Sequence, residues 1–287
     1  MARILIAGCG DLGSGVGQTL AAQGHHVTGL RRRPEQVPEG LEPLAGDFSR
    51  PDGIPPLPAD LDTVFFIASP GGRFEDEAYR LAYVEGMRNL LRAIDAAGAA
   101  PRRVIMVSST SVYGITDGRW VDETTPAEPG GFSGRRLLEA ETLLRESPHP
   151  GVVIRFGGIY GPGRNRMINK VRRGDPVVTE PPQYGNRIHR DDCVGALVHL
   201  YRLEAPEPLY LGVDSTPCPQ EELVDWLAGR LDCPAPPRAS GDAGGVRGSN
   251  KRCRNDRLLA SGYRLLYADF RDGYETLIAA DAGHGGG

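Results

Sequence analysis

Residues 8–13 read Gly8-Cys9-Gly10-Asp11-Leu12-Gly13 and directly follow the short apolar run Ile4-Leu5-Ile6-Ala7. They open the amphipathic segment Gly13 to Gln23. A G-x-G-x-x-G element placed between a strand-like run and a helix-like one restricts what the chain can fold into. Each glycine meets a separate demand. Gly8 permits a tight turn, Gly10 lets backbone approach a ligand closely, and Gly13 lets helix and strand pack together. A helix that starts here presents its first amides and the positive end of its dipole, a seat for a pyrophosphate. The loop predicts the first turn of a βαβ unit that binds a dinucleotide, with Gly8, Gly10, Asp11, Leu12 and Gly13 against the ligand. A glycine-rich turn without a ligand is the weaker alternative.

The end of the second strand decides which dinucleotide. An acidic residue there suits the ribose 2′-hydroxyl of NAD, and an arginine suits the 2′-phosphate of NADP. Here Val27-Thr28-Gly29-Leu30 runs into Arg31-Arg32-Arg33, with no carboxylate at that point. A guanidinium matches a phosphate in charge and in fork geometry. NADP(H) is therefore favoured, through Arg31 and Arg32, with NAD(H) as the alternative. Asp47, where a third strand should end, is a candidate for the adenine amino group or a simple turn residue.

Short, nearly continuous apolar runs recur at Arg3 to Ala7, His26 to Leu30, Thr63 to Ala68, Val104 to Ser108 and Val152 to Phe156. Runs of this kind suit strands covered on both faces. Helical patterns separate them, notably Asp76 to Ala97 and Ser133 to Arg145. The alternation predicts an α/β protein with a Rossmann-type doubly wound parallel sheet. The Pro- and Gly-rich stretch Pro34 to Pro58 reads as mostly loop. After Gly157 the elements shorten and Pro, Gly and Arg become frequent. We expect a dinucleotide-binding domain over residues 1–157, with parts of 185–215. A smaller, partly interleaved substrate-binding region then covers 158–287.

With 24% charged residues and a net charge of −4, the chain lacks the basic excess of a nucleic-acid binder. No apolar run is long enough to span a bilayer. Five cysteines lie scattered, with no metal spacing and no disulfide framework. A cytoplasmic protein without a metal, acting on a small molecule, is the expectation.

Further motifs carry a family likeness. Phe66-Ile67-Ala68-Ser69 ends the fourth strand. Ser108-Ser109-Thr110-Ser111-Val112-Tyr113-Gly114 has the form S-S-x-x-V-Y-G. Arg155 to Gly163 reads R-x-x-x-x-Y-G-P-G, and Ile188-His189-Arg190-Asp191-Asp192 reads I-H-x-x-D. Together with the glycine loop, these resemble the short-chain dehydrogenase/reductase superfamily over nearly the whole chain. The likeness is to the extended or atypical branch labelled NAD-dependent epimerase/dehydratase. The resemblance implies an oxidoreductase or epimerase/dehydratase. It places Ala68, Ser69 and Ser108 on the cofactor and the backbone of Phe156 and Gly158 beside the nicotinamide. It makes Ser109 the catalytic hydroxyl that holds the substrate oxygen, although a serine there also suits a turn cap. It also implies a homodimer formed through the helices at Asp76 to Ala97 and Ser133 to Arg145.

The chain departs from the family at its acid–base pair, a tyrosine four residues before a lysine. One register puts Phe132 and Arg136 at those positions. The other puts Gly131 and Arg135 there, recovers a trailing Glu139, and is preferred. Arg135 would then hold the ribose, but an arginine does not titrate near neutrality. The proton must come from elsewhere. Tyr83 is one candidate, with a core aromatic as its plainer reading, and Tyr160, Tyr184, His189 and water are the others. A dinucleotide sensor that has lost its chemistry is the competing function.

Overall fold

A computed structural model describes residues 1–240 and 249–284 of the 287-residue chain. The expected region 158–287 thus includes 241–248 and 285–287, which lie outside the described residues. In chain order the elements are β1 (Arg3–Ala7), α1 (Asp11–Ala21), β2 (His26–Arg31), β3 (Glu42–Ala45), β4 (Thr63–Phe66), α2 (Asp76–Tyr79), α3 (Gly86–Ala96), β5 (Arg103–Ser109), β6 (Trp120–Val121), α4 (Phe132–Glu146), β7 (Gly151–Phe156) and β8 (Gly158–Tyr160). They continue with α5 (Arg166–Arg172), β9 (Val177–Glu180), β10 (Tyr184–Gly185), β11 (Arg187–His189), α6 (Arg190–Arg202), β12 (Leu209–Gly212), β13 (Cys218–Pro219), α7 (Gln220–Arg230), β14 (Arg238–Ser240), β15 (Arg252–Cys253), α8 (Asp256–Ala260) and α9 (Phe270–His284).

Seven strands form one sheet in the order β3-β2-β1-β4-β5-β7-β12. The ladders from β3 through β5 are parallel. Ile4, Leu5, Ile6, Val64, Phe65, Phe66, Ile105 and Met106 are all buried, as expected of strands covered on both faces. This is the doubly wound sheet that the alternation of strands and helices predicts. The chain steps outward from β1 to β3, then returns to place β4 on the other side of β1. A reversal of this kind opens a ligand crevice at the carboxyl ends of the strands beside it.

The chain divides into two compact units. The first comprises Met1–Val112, Gly131–Arg155 and Val194–Tyr210. The second comprises Tyr113–Gly130, Phe156–Cys193 and Leu211–Gly287. The second has its own core, in which Tyr160, Ile168, Val177, Leu223, Leu227 and Phe270 are buried. Short strand pairs, β8 with β11, β9 with β14 and β6 with β15, tie it together.

The stretch Pro34 to Pro58 is mostly loop and holds β3, the third strand expected to end near Asp47, which pairs residue by residue with β2 from Thr28–Glu42 to Arg31–Ala45. Pro43 is tolerated because β3 is an edge strand. The single helix expected over Asp76 to Ala97 is three segments, because Arg80–Glu85 winds as a π-helix between α2 and α3. A wider turn of that kind leaves the apolar periodicity too little changed to be read from sequence. Among the described residues, no helix is long and apolar enough to cross a membrane.

Candidate dinucleotide-binding site

The glycine loop closes onto β2: the amides of Gly8 and Cys9 both donate to the carbonyl of Leu30, each at 3.2 Å. Gly8 has φ +102°, and a Cβ there would lie 2.1 Å from the Ile67 carbonyl oxygen. At Gly13 a Cβ would lie 2.4 Å from the Gly8 oxygen and 2.9 Å from the Ile6 side chain. Gly10 is the opposite case, since a Cβ there would meet nothing within 4 Å. Gly10 also caps the N-terminus of α1, where no side chain satisfies the first-turn amides. The loop thus leaves room and donors at the one position where a pyrophosphate must come close. Asp11 is exposed at the head of α1, whereas the Leu12 side chain is buried, so Leu12 presents only backbone.

Gly8, Cys9 and Gly10 line one wall of a cleft of about 430 Å³ in the first unit. Arg31, Arg32, Asp47, Ser69 and Arg73 line it too. The two adjacent arginines differ. Arg31 donates to the Cys9 carbonyl at 3.1 Å, to the Gln36 carbonyl at 3.0 Å and to Gln36 Oε1 at 2.6 Å. Its guanidinium braces the loop. Arg32 is exposed at the cleft and forms no ion pair among the described residues. Arg73, which the sequence reading missed, stands in the same cleft with no ion pair among the described residues. It follows Gly71 and Gly72, both with positive φ, in the loop after β4. No local pattern marks such a residue, because only the fold carries that loop to the cleft.

Asp47 receives the Ser49 amide at 3.1 Å and the Ser49 hydroxyl at 2.6 Å on one oxygen, and the other faces Arg50 at 3.5 Å. Its carboxylate therefore serves its own turn. Ala68 is buried, while Ser69 is exposed in the cleft and accepts the Gly71 amide at 3.4 Å. The Ser108 hydroxyl donates to Glu141 at 2.6 Å, and Glu141 receives Arg155 Nε at 3.0 Å and a terminal nitrogen at 2.6 Å. All three residues are buried. Ser109, at the end of β5, is half-buried, and its Oγ accepts the Ser111 amide at 3.2 Å. This is the turn-capping contact, and it leaves the hydroxyl proton available to a ligand.

Tyr83 lies in the π-helix, its ring 5.5 Å from that of Tyr79. Burial pushes its phenol well above the ordinary tyrosine range. Tyr79 in turn meets Phe132 at 5.5 Å, and Phe132 meets the exposed Phe74 at 4.8 Å. Phe132 thus belongs to an aromatic cluster. Arg136 forms a two-pronged pair with Asp76, at 2.8 and 2.9 Å, and bonds Glu139 at 3.0 Å. Arg135 is exposed. Helix α4 contains neither tyrosine nor lysine, so no register restores the pair. Its buried glutamate is Glu141, and Glu139 is exposed.

Phe156, Gly158, Tyr160, Tyr184 and His189 fall in the second unit. The Phe156 ring is buried, and the Gly158 amide donates to the Asn186 carbonyl at 2.8 Å. Tyr160 stacks on Tyr274 at 4.4 Å, and burial drives its phenol far up. Burial also lowers the pKa of His189, whose Nδ1 accepts the Asp191 amide at 3.2 Å. Tyr113, which is fully buried, donates to the Asp122 carbonyl at 3.0 Å, a structural role. Arg172 pairs with Asp281 at 2.8 Å and Arg173 with Asp175 at 2.7 Å. Among the described residues there is no cluster of His, Cys, Asp and Glu suited to a metal, and all five cysteines are free.

Residues 8–201 match the family model described as NAD(P)H-binding. The chain belongs to this NAD(P)H-binding family, within the atypical short-chain dehydrogenase/reductases. The chain is also similar to known proteins in sequence and in fold. Protein YeeZ of Escherichia coli K12 is 33% identical over 221 residues, covering 72% of this chain and 75% of that protein. A Streptomyces protein named 3-diazoavenalumate denitrifying reductase is 28% identical, covering 94% of this chain and 98% of its own. A structure from Methylobacillus flagellatus, named for an NAD-dependent epimerase/dehydratase, is 40% identical with a TM-score of 0.79. That alignment covers 98% of this chain and 99% of the other.

Proposed function

We propose that the protein is an NADP(H)-dependent oxidoreductase or epimerase/dehydratase-like enzyme acting on a small polar substrate. The carrying observation is the open space at Gly10, over an uncapped helix N-terminus, in a cleft where the exposed Arg32 and Arg73 form no ion pair among the described residues. Asp11, Leu12 and Gly13 offer the first-turn amides of α1 to the pyrophosphate, while Gly8 shapes the turn and Gly10 leaves room for the approach. Arg32 receives the 2′-phosphate, while Arg31 holds the loop in shape. Asp47, Ala68, Ser69 and Ser108 border the cofactor, Arg135 is the ribose candidate, and Phe156 and Gly158 stay assigned by family likeness. When bound, the nicotinamide supplies or takes a hydride at its C4. Ser109 orients the reacting oxygen or nitrogen by donating a hydrogen bond to it and keeps its proton. Tyr83 serves as an orienting hydroxyl, because burial keeps its phenol protonated. The second unit supplies the substrate-binding region, and the protein works in the cytoplasm as a homodimer. The full-length likeness to a reductase supports the reaction class.

Titration of the purified protein with NADPH and NADH, followed by reduced-cofactor fluorescence, tests this reading. Arg32→Ala should weaken NADPH about tenfold or more and leave NADH unchanged. Arg73→Ala should weaken both, since the pyrophosphate is common to the two. Equal loss of both cofactors in Arg32→Ala would remove the 2′-phosphate assignment. A screen of carbonyl, imine and sugar substrates follows, and native turnover by Ser109→Ala would end that residue's catalytic role. One observation favours a sensor without chemistry: in neither register does the start of α4 offer the tyrosine and lysine of the family's acid–base pair. Tight cofactor binding with no turnover across the screen would select that reading.

A further inference from the structure

The second unit contains a stack of alternating rings and guanidinium groups. Arg252 and Trp120 are register partners in the β6–β15 pair. The Arg252 guanidinium carbon lies 5.0 Å from the centre of the Trp120 ring and 4.6 Å from that of Tyr184. Arg254 lies 5.1 Å from the same Trp120 ring. Contact therefore runs Tyr184, Arg252, Trp120, Arg254. Trp120 is nonetheless 43% exposed.

Arg252 lacks the carboxylate partner that several arginines of its unit have. Arg172, Arg173, Arg230, Arg238 and Arg271 each have a carboxylate partner. Arg252 spends Nε on the Gly118 carbonyl at 2.8 Å and makes no ion pair among the described residues. Two rings hold its position and strip water from its faces, so the N–H groups of its terminal nitrogens remain as the polar edge. A guanidinium fixed in this way has already lost the freedom that binding would cost, and its fork matches a planar or tetrahedral oxyanion. Beside it the chain at Gly114–Arg119 lines a cleft of about 340 Å³, with Thr116, Asp117, Arg119, Thr125 and Glu128 in its wall.

We infer that Arg252, held between Trp120 and Tyr184, is a recognition site for a compact ligand carrying a carboxylate or phosphate oxyanion. The site lies wholly within the second unit and does not depend on the cofactor reading.

The chain has 2 tryptophans, so Trp226→Phe leaves Trp120 as the tryptophan emitter. Protein in that background is titrated with inorganic phosphate, with succinate and with sodium chloride at matched ionic strength. The expected result is a saturable change in emission with phosphate or succinate and none with chloride, and the responding anion names the chemistry. Arg252→Leu fills the gap between the rings without the fork and should weaken binding about tenfold or more. Arg252→Lys keeps the charge without the fork and should fall between. An unchanged far-ultraviolet circular dichroism spectrum verifies folding, and should the leucine variant fail it, the lysine variant carries the comparison. A flat titration, an equal response to chloride, or undiminished affinity in the folded variant overturns the proposal.

Discussion

Gly10 and Gly13 stand three positions apart in one loop, yet a methyl group added to each meets opposite surroundings. At Gly13 it would strike the Gly8 oxygen at 2.4 Å, so Gly13→Ala should cost about 2 kcal/mol or more of folding stability, read by urea unfolding. At Gly10 it meets open space, so Gly10→Ala should change stability by about 0.5 kcal/mol or less. NADPH affinity in that variant should nevertheless drop about tenfold or more, because the methyl group fills the approach to the pyrophosphate. An alanine at residue 10 that binds NADPH normally would move the cofactor away from the loop. The glycine roles were legible in the sequence because they are local backbone geometry. The division of labour between Arg31 and Arg32 was not, because Arg31 is claimed by the Cys9 carbonyl and by Gln36, contacts that form only once the loop folds against β2.

Elements were readable where one apolar period held. The strands β1, β2, β4, β5 and β7 lie where the apolar runs placed them. The π-helix between α2 and α3 escaped because it has no period of its own, and the start of the edge strand β3, with its proline, is marked by no apolar run. The connection between α4 and the sheet was also invisible. Ser108 on β5 and Arg155 on β7 are joined through Glu141 of α4, in a buried pair whose side chains are 4% and 6% exposed. Removing one partner of a buried pair leaves the other charge uncompensated. Glu141→Gln should therefore cost about 3 kcal/mol in denaturant unfolding, and Ser108→Ala about 1 kcal/mol. Equal, small losses in both variants would show that the pair adds little to holding α4 on the sheet.

For the molecule as a whole, a residue with a strong bearing on pH is Asp214, which is 1% exposed. It accepts the Thr216 amide at 3.3 Å, while its Oδ2 is buried without a hydrogen bond. Burial pushes its carboxyl up to about 7, against the pull of Arg187 and with the support of Asp269 and Asp192. In the unfolded chain the same group ionises near the ordinary aspartate value. Between those two values the folded state holds the extra proton, so stability is full below the lower one and declines as pH rises through the upper. Asp214→Asn removes this slope. Its unfolding midpoint should match the parent at about pH 4 and exceed it at about pH 8, by an amount on the order of a few kcal/mol. Parallel curves across that range would place the Asp214 ionisation elsewhere.

The two units are woven through the chain unequally, and this has a consequence for synthesis. The last segment of the first unit, Val194–Tyr210, leaves the ribosome before Leu211–Gly287 of the second has been made. A nascent chain can therefore finish the dinucleotide cleft while the second unit still waits for α9. Tyr160 stacks on Tyr274 of that helix, and its hydroxyl fills the space where a side chain at Gly273 would begin. A message cut short before α9 would yield a protein with a complete cofactor cleft and an unfinished partner unit. Its Tyr160 would be left for quality-control proteases to find.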